Sequence, residues 1–254
     1  MNEFDKYKKR GDIHWQEAFS RSPFKFNAVL RARYQVASDF LGETKNKVVL
    51  DIGAGDCALS SLFAKNGAKV LAVDSSSEGL EFGRAHFKRL GLAGKFILAD
   101  VYRVPLLDAT ADAVVLADVI EHLDRPLDAL KEARRLLRPG GCLVLTTPYR
   151  LREIPAPQHV REFYPAELRS LLAAAGFTVV EIKESHPVFW HALYTSRGPF
   201  LSRPFGKYLV NMAALWLNKN PFLRDSRRRG KNDIFTQIAC RAIKNGQVSG
   251  SGGE

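Results

Sequence analysis

Cysteine is scarce in this chain. Cys57, Cys142 and Cys240 stand singly, without the spacing of a disulfide framework or a thiolate metal site. Lone thiols of this kind suit a reducing cytoplasm, which is the expected location. Long apolar runs are missing too. None approaches the ~18 residues that span a bilayer, and the N-terminus has no signal-peptide pattern. No internal repeat is visible.

Acidic residues are outnumbered, 27 Asp and Glu against 38 Lys and Arg, for a net charge of +11. The deficit is local. Residues 1–50 carry net +4, residues 51–182 net −1 and residues 183–231 net +8. The central part is nearly neutral, and the basicity belongs to the two segments that flank it. With 254 residues and 46% hydrophobic content, the chain suits one α/β domain with additions.

The most informative stretch is Val48-Val-Leu-Asp-Ile-Gly-Ala-Gly-Asp-Cys57, followed by Val70-Leu-Ala-Val-Asp74. An apolar, β-branched run ends in Asp51, Gly53 and Gly55 follow, and a helix-compatible segment begins near Ala58. Glycines let the backbone turn sharply and approach a ligand closely. Asp51 stands where it could receive a ligand's ammonium or order the loop. A second strand ends in Asp74, a third (Lys95-Phe-Ile-Leu-Ala99) in Asp100, and Leu136-Leu-Arg-Pro-Gly-Gly141 leads into Cys142-Leu-Val-Leu-Thr-Thr147. By itself the glycine turn also satisfies a dinucleotide fingerprint, so a nicotinamide or flavin site stays open on the turn alone.

Strands are expected near 47–51, 69–73, 95–99, 113–117 and 142–147, with helices near 57–66, 77–91, 126–138 and 165–175. Such alternation means parallel strands joined by helical crossovers. Phe177–Lys183 and Ile234–Ile243 read as two further strands. Ahead of them all, Phe26, Leu30, Tyr34 and Ala37 recur at helical spacing up to Phe40.

Together these elements, over roughly residues 47 to 182, resemble the class I S-adenosylmethionine-dependent methyltransferases. The pattern is nearest the small-molecule and ubiquinone-type O-methyltransferases. The resemblance implies a doubly wound, seven-stranded, mostly parallel Rossmann-like sheet, with the last strand antiparallel between strands five and six. It implies S-adenosylmethionine as cofactor and S-adenosylhomocysteine as product. The expected division is an N-terminal helical lid (1–46), the cofactor-binding core (47–185), a basic amphipathic insertion (186–232), the last core strand (233–245) and a flexible tail (246–254).

Residue roles follow from the same resemblance. Asp51, Gly53 and Gly55 serve the methionine end, and Asp74 the ribose hydroxyls, although Asp74 could instead cap the next helix. Asp100 and the backbone N–H of Val101 face adenine. Phe24-Lys-Phe-Asn27 with Leu30-Arg-Ala-Arg-Tyr34 is similar to the family's N-terminal helix, whose arginine contacts the cofactor carboxylate, and Arg31 is the position carried over. His14 and Trp15 could complete a lid. Asp118, Glu121 and His122 follow strand four and should line the pocket, because ligands lie at the carboxyl ends of such strands. Histidine titrates nearest neutrality, so His122 is the first candidate base and His159 the second. Asp118, Glu121, His122 and His159 also resemble the pattern of metal-using small-RNA 2′-O-methyltransferases. The same letters occur in metal-free relatives, and no metal is assigned.

The Asn/Asp-Pro-Pro-Tyr tetrad of base-methylating enzymes is absent, which favours an oxygen of a small, anionic or lipid-linked acceptor. An RNA ribose 2′-O-methyltransferase and a noncatalytic cofactor-binding adaptor are the alternatives. In the insertion, Phe205, Leu209, Met212 and Trp216 share a helical face opposite Lys207 and Asn211. That face reads as the packing side of a lid, or as a surface for an anionic partner. With the basic run 224–231, an anionic membrane surface fits best and would place the protein at the inner membrane face; nucleic acid fits less well.

Overall fold

The computed structural model describes residues 6–151, 156, 158–187, 189–190, 194, 203–223 and 234–245. The basic run 224–231, the tail 246–254 and Phe200 lie outside the described residues.

Seven strands form one sheet: β1 (Val48–Ile52), β2 (Lys69–Asp74), β3 (Gly94–Leu98), β4 (Ala111–Ala117), β5 (Leu137–Pro148), β6 (Phe177–Pro187) and β7 (Phe235–Lys244). Their spatial order is β3-β2-β1-β4-β5-β7-β6. All run parallel except β7, which pairs antiparallel with β5 and β6, as the resemblance implies.

Alternation along the strands assigns the two faces. Val49, Val115, Val144 and Ala239 point to one side, where α3 (Ala28–Leu41), α4 (Ala58–Lys65) and α5 (Ser77–Arg89) cover them. Leu50, Val114, Leu145 and Ile238 point to the other, beneath α6 (Pro126–Leu136) and α7 (Pro165–Ala174). Central strands apolar on both faces are what a doubly covered parallel sheet requires. One boundary differs from expectation. Because Leu137 already pairs with Ala111, α6 stops at Leu136 and Pro139-Gly140-Gly141 falls within an irregular opening of β5.

Two short helices, α1 (Lys6–Arg10) and α2 (Ile13–Ala18), precede α3. The Asn27 side chain accepts from Leu30 N at 3.1 Å and caps α3. The insertion contributes α8 (Arg203–Trp216), and of the two readings of its Phe205–Trp216 face the packing side of a lid is not the one it takes. Asn211 and Val210 are buried, whereas Phe205, Leu209 and Trp216 are 53%, 45% and 61% exposed. Asn211 accounts for this. Its Oδ1 accepts from Ala28 N at 3.2 Å, and its Nδ2 donates to Pro23 O at 2.7 Å and Phe26 O at 2.6 Å. Unpaired backbone groups at the start of a helix need such a partner, and this need outweighs the burial of three apolar side chains. Phe26, Ala28, Ala32, Tyr194, Val210 and Phe222 form a separate small core there. Among the described residues no helix is long and apolar enough to cross a membrane.

Candidate active site

The glycine turn leaves β1 and folds back over the end of β2. Gly53 N and Ala54 N both donate to Val73 O, at 2.8 and 3.0 Å. Gly53 and Gly55 have φ of 77° and 55°, in the left-handed region that glycine adopts without a steric penalty. A side chain on Gly53 would run into Val119, and one on Gly55 into Tyr7. Asp74 holds the turn: its Oδ2 accepts from Gly55 N at 2.7 Å and its Oδ1 from Ser76 N at 2.8 Å. Burial pushes its carboxyl above the ordinary range. Asp51 is fully buried and accepts from Ser60 Oγ in α4. Burial pushes that carboxyl up to about 7. The bond to Ser60 ties the end of β1 to α4 beneath the turn.

At the end of β3, Asp100 is exposed and its Oδ1 accepts from Tyr102 N at 2.9 Å, while Val101 is half-buried beside the core. The end of β4 is more crowded. Asp118 has φ 54°, an uncommon conformation for a non-glycine residue, and its N–H is anchored on Thr146 O at 3.0 Å. Its carboxylate accepts from Arg33 Nη1 at 3.1 Å, Gln237 Nε2 at 2.5 Å and Thr146 Oγ1 at 3.3 Å. Burial alone would raise this carboxyl; Arg33 and the Gln237 bond hold it below the usual range. Nearby Glu121 goes the other way, pushed up by burial and by the Asp118 charge, with Thr147 Oγ1 donating to it at 3.1 Å.

His122 and His159 meet although α6 and β5 lie between them in the chain. Their rings stand edge to face at 5.1 Å. His122 Nδ1 donates to Gln158 O at 2.7 Å, so the neutral ring carries its basic lone pair on Nε2. Burial lowers its pKa. His159 Nδ1 lies 2.8 Å from Glu162 Oε1. One ligand atom each of Glu121, His122 and His159 fall within 4.8 Å of one another, a spacing that would suit a cation.

The N-terminal helices cover the glycine turn. His14 N donates to Asp56 Oδ2 at 2.9 Å, and Trp15 Nε1 donates to Asp56 O at 2.6 Å. The Tyr7 ring is buried against Gly55 and Gly79. Arg31 lays its guanidinium over the Phe19 ring, 5.3 Å from the centroid, while Arg33, two residues on, reaches Asp118 at the end of β4. Arg33, Gln237 and Tyr7 were not singled out from the sequence, because the surrounding pattern gives no local signal for them.

Residues 50–145 match the protein family described as a methyltransferase domain. Over this stretch the chain carries a methyltransferase domain, and it is similar to S-adenosylmethionine-dependent methyltransferases. A probable S-adenosylmethionine-dependent methyltransferase of Mycolicibacterium smegmatis is 35% identical over 137 residues, 52% of this chain and 52% of that protein. The chain thus matches about half the length of that curated relative. A ubiquinone biosynthesis O-methyltransferase of Actinobacillus pleuropneumoniae is 28% identical over 211 residues, covering 73% of this chain and 88% of that one. Among solved structures, a Burkholderia thailandensis 1,6-didemethyltoxoflavin-N1-methyltransferase with bound S-adenosylhomocysteine shares the fold. It superposes with a TM-score of 0.60 over 95% of this chain and 85% of that one, at 22% identity.

In this methyltransferase domain the residues present fit S-adenosylmethionine, the cofactor of the family. The missing Cβ atoms of Gly53 and Gly55 let Val119 and the Tyr7 ring close on the turn, so the fit is judged on the polar groups beside it. Two buried polar atoms beside Asp118, Arg33 Nε and Gln237 Oε1, have no partner among the described residues. A surface cavity of about 490 Å³ lined by Leu98, Arg103 and Arg135 contains none of these groups.

Proposed function

We propose that the chain transfers a methyl group from S-adenosylmethionine to an oxygen of a small, anionic or lipid-linked acceptor. The observation that carries this reading is the meeting of His122 and His159, rings 5.1 Å apart, just past the carboxyl end of β4. When bound, the cofactor supplies a methyl group activated on a sulfonium. The protein then has to align the acceptor oxygen and take its proton. His122 takes that proton, and His159, held by Glu162, backs it. Asp74 secures the turn that receives the ribose, and Asp100 with the Val101 N–H stands at the adenine edge. Asp118 and Arg33 face the methionine end.

The test uses S-adenosylmethionine labelled in its methyl group, incubated with the full chain and with separated aqueous and lipid extracts. Label in an ether or ester product supports the reading; label in an amine product, or none in any fraction, overturns it.

A second reading concerns a divalent cation. The three-residue cluster of Glu121, His122 and His159 would supply one carboxylate and two imidazoles, a donor set suited to first-row metals. Such an ion would orient the acceptor oxygen and lower its pKa. Titration calorimetry with Mg²⁺ and Mn²⁺, in the full chain and in His159→Ala, decides between the readings; no heat with either ion removes this one.

For the acceptor's source, we read the outward side of α8 as a contact with an anionic membrane. Phe205, Leu209 and Trp216 are exposed there, and Phe24 stacks beside Tyr208 at 4.9 Å. The segment 183–231 carries net +8. Sedimentation with phosphatidylglycerol vesicles that weakens with salt and with Trp216→Ser supports this; equal binding to neutral vesicles counts against it.

A further inference from the structure

We propose that Gln237, on the last strand, is a cofactor-binding residue: its Oε1 accepts from the ammonium of the cofactor's amino-acid end, while Arg33 takes the neighbouring carboxylate. This rests on the reading that the chain binds S-adenosylmethionine.

The antiparallel course of β7 brings its first residues to the carboxyl ends of the parallel strands, where Gln237 lies opposite Pro148 of β5 and Ser185 of β6. Its side chain reaches Asp118, and the 2.5 Å contact orients the amide, since a carboxylate can only accept. Nε2 must face Asp118, so Oε1 faces away. That oxygen belongs to a residue only 1% exposed and meets no donor among the described residues. On the other side of the same carboxylate, Arg33 commits Nη1 to Asp118 and leaves a buried Nε without an acceptor. Buried polar groups in native proteins are nearly always paired, so two orphans around one acid call for a ligand.

The chemistry of the missing partner follows from the three groups. Gln237 Oε1 and the Asp118 carboxylate both ask for a donor, and Arg33 Nε asks for an acceptor. An ammonium beside a carboxylate supplies both. Its zwitterionic charge also matches the Arg33–Asp118 pair, leaving no net charge buried. A bridging water would also satisfy both orphans, but loss of the Gln237 acceptor would then leave the affinity for S-adenosylhomocysteine unchanged.

The experiment compares S-adenosylhomocysteine with 5′-methylthioadenosine, which keeps the nucleoside and sulfur but lacks the amino-acid end. Calorimetric affinities are measured for the full chain, for Gln237→Met, which removes the acceptor at similar volume, and for the milder Gln237→Asn. We expect Gln237→Met to weaken S-adenosylhomocysteine tenfold or more, Gln237→Asn to weaken it less, and methylthioadenosine to change less than twofold in either. Retained methylthioadenosine binding also reports an intact fold. Equal losses for both nucleosides would mean a structural role and overturn the proposal, as would no loss for either. If the unaltered chain binds neither nucleoside, the cofactor reading itself fails, and this proposal falls with it.

Discussion

Arg33 and Asp118 are 85 residues apart in sequence, yet a guanidinium nitrogen of one lies 3.1 Å from a carboxylate oxygen of the other. The contact ties the N-terminal helix α3 to the end of β4, and it separates two arginines that sit two residues apart on the same helix. A prediction follows directly. Arg33→Met should weaken S-adenosylhomocysteine binding by about 10- to 100-fold, the equivalent of roughly 1.5–3 kcal/mol for a charge-assisted hydrogen bond. Arg31→Met, which removes a guanidinium stacked on Phe19, should change it less than threefold. Calorimetry on the two variants would reject the assignment if their effects were reversed.

Asp51 predicts a pH dependence of stability. Its carboxyl is raised from 3.8 to about 7 by burial, so the folded state holds a proton that the unfolded chain has released. The associated stability is fully present below about pH 4 and is lost as pH rises through about 7. At roughly 1.4 kcal/mol per pH unit, the loss is a few kcal/mol at most. Asp51→Asn keeps an acceptor for Ser60 and removes the titration. Its melting temperature should therefore fall less than that of the unaltered chain between pH 4 and 8; parallel curves would show that Asp51 does not titrate in this window.

Asn211 predicts a stability loss remote from the chemistry. Asn211→Ala strips one acceptor and two donors from the start of α3 and leaves backbone groups buried without partners. The expected cost is roughly 2–3 kcal/mol. For a chain of this size that is a fall of about 5–10 °C in melting temperature. A change under 1 °C would mean that α8 is not anchored through this amide.

His122 predicts a kinetic signature. General-base action contributes typically ~10²–10⁴-fold, so His122→Gln should lower kcat by about that factor and leave S-adenosylhomocysteine affinity within about twofold. Burial lowers the His122 pKa, so the acid limb of the kcat profile should have its midpoint below the ordinary histidine value of ~6.5. A limb at or above that value, or turnover surviving the substitution, would move the base elsewhere.

Much of the fold was legible because its determinants are local. The strand and helix alternation, the turn at Gly53 and Gly55 and the acid at the end of β2 each depend on a few neighbouring residues. The antiparallel β7 between β5 and β6 came from resemblance, and the register then followed from which apolar residues face each helical layer. The meeting of His122 with His159 was anticipated only as two residues near one rim.

By itself, then, the sequence determined the cofactor turn and the order of the layers, since periodicity and turn chemistry act over a few residues. Only the tertiary structure decided which arginine of α3 pairs with Asp118, because positions two apart on a helix differ in direction and packing against the sheet selects between them. It also turned the Phe205–Trp216 face outward, because the backbone groups opening α3 required the Asn211 amide. And it brought Gln237 to Asp118, a contact between the last strand and the fourth that no local pattern encodes.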